Sequence, residues 1–265
     1  PTLFLNTPLF PSWSKKDPAI TYRWNISNAA TGYDEAAQHV HPRYIYIQDT
    51  ILSELPFSTD ESSLIVDAGG GSGRLLERVL ERFPLIQAVN IDQSEAFLGL
   101  AERRLERFGD RVTCHRCRLQ DDWPALLDRS PGAIVSMSAV HHLDSPEKHT
   151  FYGKCFEALE PTGMLVNGDE VRPEDPDDYL ARLQTWADHM QREMRSDRVP
   201  TSMHGTLNGW IERNVENFGS KTISGDDCHE TLEHQLMSLK THGFSNVTTH
   251  WADWMWSVFS GTKPG

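Results

Sequence analysis

The stretch LIVDAGGGSGR, residues 64–74, runs from an apolar segment through one acid into a cluster of glycines. Its first part predicts a buried strand, and its last part predicts a tight turn into a helix that begins at Arg74. Apolar side chains recur on one face of that helix over residues 75–83. A glycine turn between a buried strand and a helix is a typical binding place for a nucleotide-like cofactor. The stretch therefore predicts such a site.

Strands and helices are predicted to alternate strictly from this stretch as far as residue 167. The predicted strands are Leu64–Asp67, Ala88–Ile91, Val112–Cys117, Ala133–Met137 and Met164–Asn167. The helices predicted between them are Arg74–Arg82, Ser94–Phe108 and Pro146–Leu159. This order indicates an α/β fold with a parallel sheet that is covered by helices on both faces.

The segments on either side of this region follow other patterns. One helix is predicted near residues 27–37 and another over His39–Leu55. Residues 169–243 favour helices, and two strands are predicted at Asn246–Thr249 and Trp254–Ser260. We therefore expect a single domain made of an N-terminal arm (1–57), a core (58–170), a helical insertion (171–243) and a closing strand pair (244–265).

The glycine spacing distinguishes between three kinds of cofactor. A P-loop for a nucleoside triphosphate needs lysine and then serine or threonine after its last glycine, but Arg74 follows Gly73 here. The dinucleotide fingerprint G-x-G-x-x-G would place a glycine at the position of Arg74, which disfavours NAD. Gly69, Gly71 and Gly73 instead form G-x-G-x-G.

Several motifs in order resemble the class I S-adenosylmethionine (SAM)-dependent methyltransferases. After the glycine turn come AVNIDQS (88–94), SAVHHLD (138–144) and EALEPTGMLVNGDE (157–170). The resemblance implies a Rossmann-like, doubly wound sheet of seven strands in the order 3-2-1-4-5-7-6 with the last strand antiparallel. It also implies a helical insertion after strand five and a helical N-terminal arm. SAM as cofactor, S-adenosylhomocysteine as product and a small-molecule methyl acceptor (O, N or S nucleophile) follow from it.

The resemblance also assigns side chains to the cofactor. Asp67 would lie near the amino end of the methionine, and Asp92 would accept hydrogen bonds from the ribose hydroxyls. Residues 121–123 follow the third strand, where an acid and apolar groups would contact the adenine. The predicted cofactor-binding residues are Tyr33, Tyr44, Asp67, Gly69, Gly71, Gly73, Asp92, Gln93, Asp121, Asp122, Trp123 and Ser138.

Two histidines are the candidates for acid–base chemistry. His141 and His142 follow the fourth strand, at the sheet edge where open α/β sheets bind ligands, and either could take a proton from the acceptor. Asp169 and Glu170 come directly after the predicted fifth strand, at its carboxyl end. Metal-dependent members of this fold carry acids after strands four and five, but strand four ends in serines here. No metal is therefore predicted.

Aromatic residues in the arm and in the insertion predict the acceptor pocket. Relatives fold the arm over SAM and build the acceptor pocket from the segment after strand five. Most such aromatic side chains belong to the core, and a few are expected to enclose the acceptor. The predicted pocket residues are Trp24, Asp169, Glu170, Trp186, His189 and Trp210.

The composition restricts partners and location. The chain has 38 acidic and 25 basic residues, a net charge of −13 that disfavours contact with nucleic acid or anionic lipid. It has no apolar run of about 20 residues, and its start does not resemble a signal peptide. Four cysteines without framework spacing indicate a reducing compartment. A cytoplasmic protein is expected, and a homodimer is left open because the arm could cover a neighbour's pocket.

Two alternatives stay open at the level of the sequence, one within SAM chemistry and one that is not an enzyme. The early HPRY (41–44), the helical insertion and the aromatic closing strand also resemble carboxy-SAM synthase. That enzyme modifies SAM and needs a cation for the added carboxylate, for which Arg43, Arg192 and Arg195 are candidates. The second alternative is a SAM-binding regulatory module without catalysis.

Overall fold

Seven strands form one mixed sheet in the computed structural model, which describes Trp24 and residues 27–265. The strand order is β3-β2-β1-β4-β5-β7-β6, and β7 runs antiparallel to both of its neighbours. The strands are β1 (Leu64–Ala68), β2 (Gln87–Asp92), β3 (Val112–Arg116), β4 (Ala133–Met137), β5 (Met164–Glu170), β6 (Ser245–Asp253) and β7 (Trp256–Thr262). The predicted fold class and strand order are confirmed.

Helices cover both faces of this sheet, and two hydrophobic clusters fill the layers between. The helices are α1 (Ser27–Val40), α2 (Tyr44–Glu54), α3 (Arg74–Arg82), α4 (Glu95–Leu105), α5 (Ser145–Ala158), α6 (Pro176–Arg195), α7 (Thr201–Ile211) and α8 (Leu232–Thr241). All five residues of β1 are buried, as expected for a central strand with helices on both sides. No helix among the described residues is long and apolar enough to cross a bilayer.

The N-terminal arm contains two helices where the sequence predicted a different division. The predicted helix His39–Leu55 is wrong in its first part, because α1 continues to Val40 and α2 begins only at Tyr44. Pro42 explains the break, since proline disfavours helical geometry at the residue before it and cannot donate a backbone hydrogen bond. The rest of the predicted arm, residues 1–23 with 25 and 26, lies outside the described residues.

Strand β5 is longer than predicted, and this extension positions two acids. The prediction ended the strand at Asn167, but pairing with β7 continues to Asp169 opposite Ser257 and to Glu170 opposite Trp256. Both acids are therefore held by the sheet and not by a loop. The segment 217–231, which precedes α8, runs back to the carboxyl end of β4, where the backbone N–H of Gly225 donates to the His142 carbonyl at 2.8 Å.

Candidate active site

One cavity opens along the carboxyl ends of β1, β2, β4 and β5, the edge at which open α/β sheets bind ligands. The glycine turn and the end of β2 form its polar end. Helices α1 and α2 cover it from one side, and α6 and α7 from the other. The cavity therefore joins the predicted cofactor residues to side chains of the helical insertion.

The glycine turn has a backbone shape that side chains would block. Gly69 and Gly71 adopt positive φ angles of 75° and 53° and line the cavity. Gly70 has no room for a side chain, because a Cβ there would lie 2.1 Å from Oδ1 of Asn90. Gly73 also has a positive φ, but it caps α3 outside the cavity lining. The turn therefore exposes bare backbone to the cavity.

Two buried carboxylates face the polar end of the cavity. Asp92 accepts hydrogen bonds from the backbone N–H groups of Ser94 (2.7 Å) and Gly71 (3.0 Å). Asp67 is 1% exposed, and neither of its carboxylate oxygens has a hydrogen-bond partner among the described residues. Burial and the nearby Asp92 raise the pKa of Asp67 to about 8, and burial raises the pKa of Asp92 to about 6. Such groups need donors from a ligand.

SAM offers donors that fit these two carboxylates. Its methionine ammonium can donate to the unpartnered oxygens of Asp67, and its ribose hydroxyls can donate to Asp92. Gln93, the residue after Asp92, also lines the cavity. The residues present at this end therefore fit the cofactor that the sequence predicted.

Aromatic side chains cover the same end of the cavity. The Trp24 ring lies 4.9 Å from the Tyr33 ring and 5.7 Å from the Phe97 ring, and all three line the cavity. Tyr44 lines it as well, and burial raises the pKa of its hydroxyl to about 12, so that this group is neutral. The predicted residues Trp24, Tyr33 and Tyr44 are thus brought together over the glycine turn.

A charged cluster fastens this cover to the core. Asp34 of α1 accepts hydrogen bonds from Arg74 Nε at 2.8 Å and from Arg104 Nη2 at 2.7 Å. The Ser72 hydroxyl also donates to Asp34. Although burial raises the pKa of Asp34, these three donors outweigh it, so the pKa lies below its usual value. Asp34 is therefore an ionised link between α1, the glycine turn and α4.

The opposite end of the cavity is formed largely by the helical insertion. Trp186 and Trp210 line it with their ring centroids 4.6 Å apart, and the Trp186 indole N–H donates to the Val40 carbonyl at 2.8 Å. Met190 and Leu207 add apolar surface. This end is suited to an apolar or aromatic group of a ligand.

His141 stands at the floor of this end and is held by Asp169. Asp169 Oδ1 lies 2.7 Å from His141 Nδ1, and its Oδ2 accepts the His141 backbone N–H at 3.0 Å. Burial alone lowers the pKa of His141, but the charges of Glu170 and Asp169 outweigh it and raise the pKa to about 9. Asp169 is completely buried and does not line the cavity. It therefore supports His141 from behind.

Further acids surround the Nε2 side of the His141 ring. Its Nε2 lies 3.8 Å from Glu170 Oε2 and 3.8 Å from Asp227 Oδ1, and His142 Nδ1 lies 3.6 Å from the same Asp227 oxygen. His229 Nε2 lies 2.7 Å from Glu170 Oε2. His141, His142, Glu170 and Asp227 all line the cavity. The floor is thus a buried cluster of imidazoles and carboxylates.

Asp227 and His41 belong to this floor but were not found by sequence reasoning. The run DDCHE (226–230) is a signal that could have indicated Asp227, but it lies far along the chain from His141. His41 lies 3.4 Å from the Ser138 hydroxyl and 4.0 Å from Glu170. Burial lowers the pKa of His41 to about 4, so its ring is neutral.

Besides Gly73 and Asp169, four more predicted residues lie outside the cavity lining. Asp121 and Asp122 are exposed on the loop after β3, while Trp123 is fully buried and packs near Phe151. Residues 117–120 line the cavity at this point instead. His189 lies outside the cavity lining, because its Nε2 bonds the His39 carbonyl at 2.7 Å.

Comparisons with known proteins agree with this geometry. Residues 65–163 match the family described as a methyltransferase domain. Ribosomal RNA small subunit methyltransferase H of Mycolicibacterium gilvum is 29% identical over 134 residues, which is 46% of this chain and 36% of the relative. Trans-aconitate 2-methyltransferase of Variovorax paradoxus is 31% identical over 134 residues, which is 50% of this chain and 47% of the relative. The chain thus spans less than half the length of these curated relatives.

Structural similarity extends over more of the chain than the sequence match does. Human N-acetylserotonin methyltransferase in complex with SAM aligns with a TM-score of 0.55 and 14% identity, over 88% of this chain and 58% of that one. The fold and the domain match together confirm the resemblance to class I SAM-dependent methyltransferases. The matched region is similar to a methyltransferase domain, and the aligned human structure is a complex with SAM.

Proposed function

We propose that this protein transfers the methyl group of SAM to a small-molecule acceptor. The observation that supports this is the single cavity that joins two ends of different chemistry. Buried carboxylates that fit SAM stand at one end, and aromatic rings with a histidine floor stand at the other. An acceptor held at the second end faces the cofactor at the first.

The residues of the cavity divide this task between them. SAM, when bound, supplies a methyl group that is already activated on a sulfonium. Asp67 and Asp92 hold the cofactor, and Trp186 with Trp210 holds the acceptor and excludes water. Catalysis is then mainly positioning, which can lower a barrier by several kcal/mol, on the order of 7–11 in favourable cases. The helical insertion and α1 serve as the cap that makes this positioning possible.

Methyl transfer to a protonated acceptor also requires a group that removes the acceptor's proton. His141 Nδ1 is engaged by Asp169, so Nε2 is the nitrogen directed to the cavity. This geometry supports the prediction that a histidine takes the proton, and it favours His141 over His142. Because the pKa of His141 is raised to about 9, only the neutral fraction of its ring can accept the proton near pH 7.

We propose a small acceptor in preference to a nucleic acid, although one relative is a ribosomal RNA methyltransferase by name. A net charge of −13 repels a phosphate backbone, and the floor of the cavity adds three buried carboxylates. A cytoplasmic location is proposed on the four free thiols. The homodimer stays a prediction.

The test begins with the molecule that co-purifies with the protein. Mass spectrometry should find SAM or S-adenosylhomocysteine, and methyl-labelled SAM should label one member of a metabolite panel. Label in ribosomal RNA and not in the panel would overturn the small-molecule acceptor. Label in neither, with SAM bound, would favour the regulatory module.

Calorimetry with paired variants tests the cofactor site itself. Asp92→Ala should weaken SAM binding at least about tenfold, because it removes a charge-assisted acceptor for the ribose hydroxyls. Asp128→Ala changes an exposed acid outside the cavity and should bind SAM as the wild type does. Equal SAM affinities for the two variants would overturn the role of Asp92.

The carboxy-SAM synthase alternative has less support in the structure. Arg43 pairs with Asp253 at 2.7 Å near the surface, and neither Arg192 nor Arg195 lines the cavity. None of the three candidate cations is therefore available to a carboxylate on SAM. A co-purified ligand heavier than SAM by one carboxyl group would restore this alternative.

A further inference from the structure

We propose that His141, His142 and Asp227 bind a divalent transition-metal ion at the acceptor end of the cavity. One ligand atom from each residue lies within 4.8 Å of the other two. His141 and Asp227 are buried, His142 is half-buried, and all three line the cavity. The sequence predicted no metal because no acid follows β4, but Asp227 supplies the acid from the distant segment 217–231.

The ligand atoms lie close together but do not hydrogen-bond one another. His141 Nε2 lies 3.8 Å from Asp227 Oδ1, and His142 Nδ1 lies 3.6 Å from the same oxygen. Both separations exceed the length of an N–H···O hydrogen bond. His142 Nδ1 also contacts the Asp226 carbonyl oxygen at 3.2 Å, and a metal ion bound at this nitrogen would replace that contact. Metal–ligand bonds of about 2.0–2.2 Å place neighbouring ligand atoms about 3.0–3.5 Å apart. The two separations from Asp227 are therefore within a few tenths of an ångström of those in a metal site.

The groups behind the ligands provide independent support. Metal-binding histidines commonly have their second ring nitrogen bonded to a carboxylate, which fixes the ring. Asp169 does this for His141, at 2.7 Å from Nδ1. The carboxylate of Asp227 is oriented in turn by Asn214, whose Nδ2 donates to Oδ2 at 2.8 Å. The outer shell of a metal site is thus already built.

The charge of the floor also favours a cation. Asp169, Glu170 and Asp227 are all buried, at 0%, 4% and 5% exposure, and all lie within 3.8 Å of the His141 ring nitrogens. Burying carboxylates this close together is costly unless positive charge accompanies them. An imidazole that binds a metal is neutral, so in the loaded site a dication offsets two of these negative charges.

The donor set indicates the kind of ion. Two imidazoles with one carboxylate suit Zn²⁺ or Fe²⁺, whereas Mg²⁺ and Ca²⁺ prefer oxygen ligands. Three protein ligands leave coordination positions open, as in catalytic zinc sites. Since the ligands line the cavity, the open positions are accessible to an acceptor that carries a hydroxyl or carboxylate oxygen.

The role of the ion in catalysis rests on the proposed function, but its binding does not. A metal ion lowers the pKa of an oxygen that it binds. In the loaded protein the ion would therefore activate the acceptor, and His141 Nε2 would be a ligand and not a base. A metal-free protein could use His141 alone, so His142 and Asp227 distinguish the two mechanisms.

Zinc binding without SAM tests the site. Protein stripped with a chelator is titrated with Zn²⁺ in a calorimeter, and bound metal is counted by mass spectrometry. The wild type should bind one Zn²⁺ per chain, and His142→Ala and Asp227→Asn should each bind it at least about tenfold more weakly. The control His234→Ala removes an exposed histidine of α8, with 58% of its side chain accessible, and should bind as the wild type does.

The outcomes separate the site, its role and the proposed function. SAM calorimetry shows whether each variant is folded. Absence of stoichiometric zinc in the wild type, or unchanged zinc affinity in folded Asp227→Asn and His142→Ala, would overturn the site. Full methyl transfer by metal-free protein would overturn the catalytic role of the ion. Zinc and SAM binding without transfer to any acceptor would overturn the proposed function and leave the metal site in place.

Discussion

Asp67 lowers the stability of the ligand-free protein and is suited to bind a cationic ligand. Its two carboxylate oxygens are buried without partners, next to the second acid Asp92. Free energy is lost by ionising such a group in the folded protein, and it is regained when a cationic ligand arrives. A position that lowers stability but awaits a ligand is typical of a binding site.

Asp67→Asn should therefore stabilise the free protein and weaken SAM binding. The pKa of Asp67 is raised from 3.8 to about 8, so the folded state holds this proton more tightly than the unfolded state does. Unfolding free energy should fall as pH rises from about 4 to 8 in the wild type, and it should fall less in the variant. At pH 8 the variant should be more stable by about 2 kcal/mol or more, as measured by urea unfolding without ligand.

The matching control is Asp128→Asn, which changes an exposed acid and should leave this pH dependence unchanged. If Asp67→Asn and the wild type lose stability equally between pH 4 and 8, the Asp67 carboxylate is not the group responsible. Undiminished SAM affinity in Asp67→Asn would contradict its role as the acceptor for the ammonium.

Site residues could be predicted where the pattern that identifies them lies next to them in the sequence. Asp67 and Asp92 each follow an apolar strand directly, and the glycine spacing fixes what they face. Asp227 could not be found in this way, because it follows no strand and only the path of the segment 217–231 brings it to His141. Asp121 and Asp122 show the reverse, since they follow β3 correctly but their loop turns them to solvent.

At the scale of elements, α1 and α7 pack against each other through a glycine. Gly32 of α1 faces α7 so closely that a Cβ would lie 2.7 Å from Met203 Cγ and 2.9 Å from Ser202 Oγ. Met203 is completely buried and cannot swing away into solvent. Since α1 carries Tyr33 and α7 carries Trp210, this contact couples the two sides of the cavity cover.

Gly32→Ala should separate these helices and weaken the cover. Overpacking costs about 1–3 kcal/mol, which exceeds the roughly 0.8 kcal/mol that alanine gains in helix propensity. Gly205 lies on the exposed face of α7, and a Cβ there would have no neighbour within 4 Å among the residues that the structure describes. Gly205→Ala should therefore stabilise the folded protein by about 0.5–1 kcal/mol. Urea unfolding of both variants provides the comparison. If Gly32→Ala proves as stable as Gly205→Ala, α1 must be able to shift away from α7 without a loss of unfolding free energy.

Element types were predicted better than element ends. Helical and alternating patterns place the strands and helices of the core correctly, because burial on one or both sides dictates them. The break at Pro42 and the extension of β5 were missed for different reasons. The first is a local effect of proline, whereas the second depends on pairing with β7, almost ninety residues later in the chain.

At the scale of the whole molecule, Asp34 links the N-terminal arm to the core that contains the sheet. Its carboxylate connects α1 with Arg74 of α3 and Arg104 of α4. This buried link holds the cover closed over the glycine turn. The strand order of the entire sheet was predictable from the family resemblance. The ion pairs of Asp34 were not, because they depend on how α1 packs against α3 and α4.

Asp34→Asn should loosen α1 without unfolding the sheet. Loss of a largely buried partner for two arginines should speed hydrogen exchange in α1 at least about tenfold at pH 7. Asp49→Asn removes an acid that is 55% exposed and that pairs with Arg78 between α2 and α3, and it should change exchange little. Hydrogen exchange followed by mass spectrometry resolves the two helices. Equal protection of α1 in wild type and Asp34→Asn would show that packing alone holds the cover.

The position of β7 between β5 and β6 has a consequence for the order in which a newly made chain can mature. Asp169 and Glu170 reach their places only when β5 pairs with residues 256 and 257, which the ribosome makes almost ninety residues later. Until then the edge of β5 is open to pairing with other chains. The glycine turn can form early, but the histidine floor cannot. The residues of the glycine turn are therefore made well before those that complete the histidine floor.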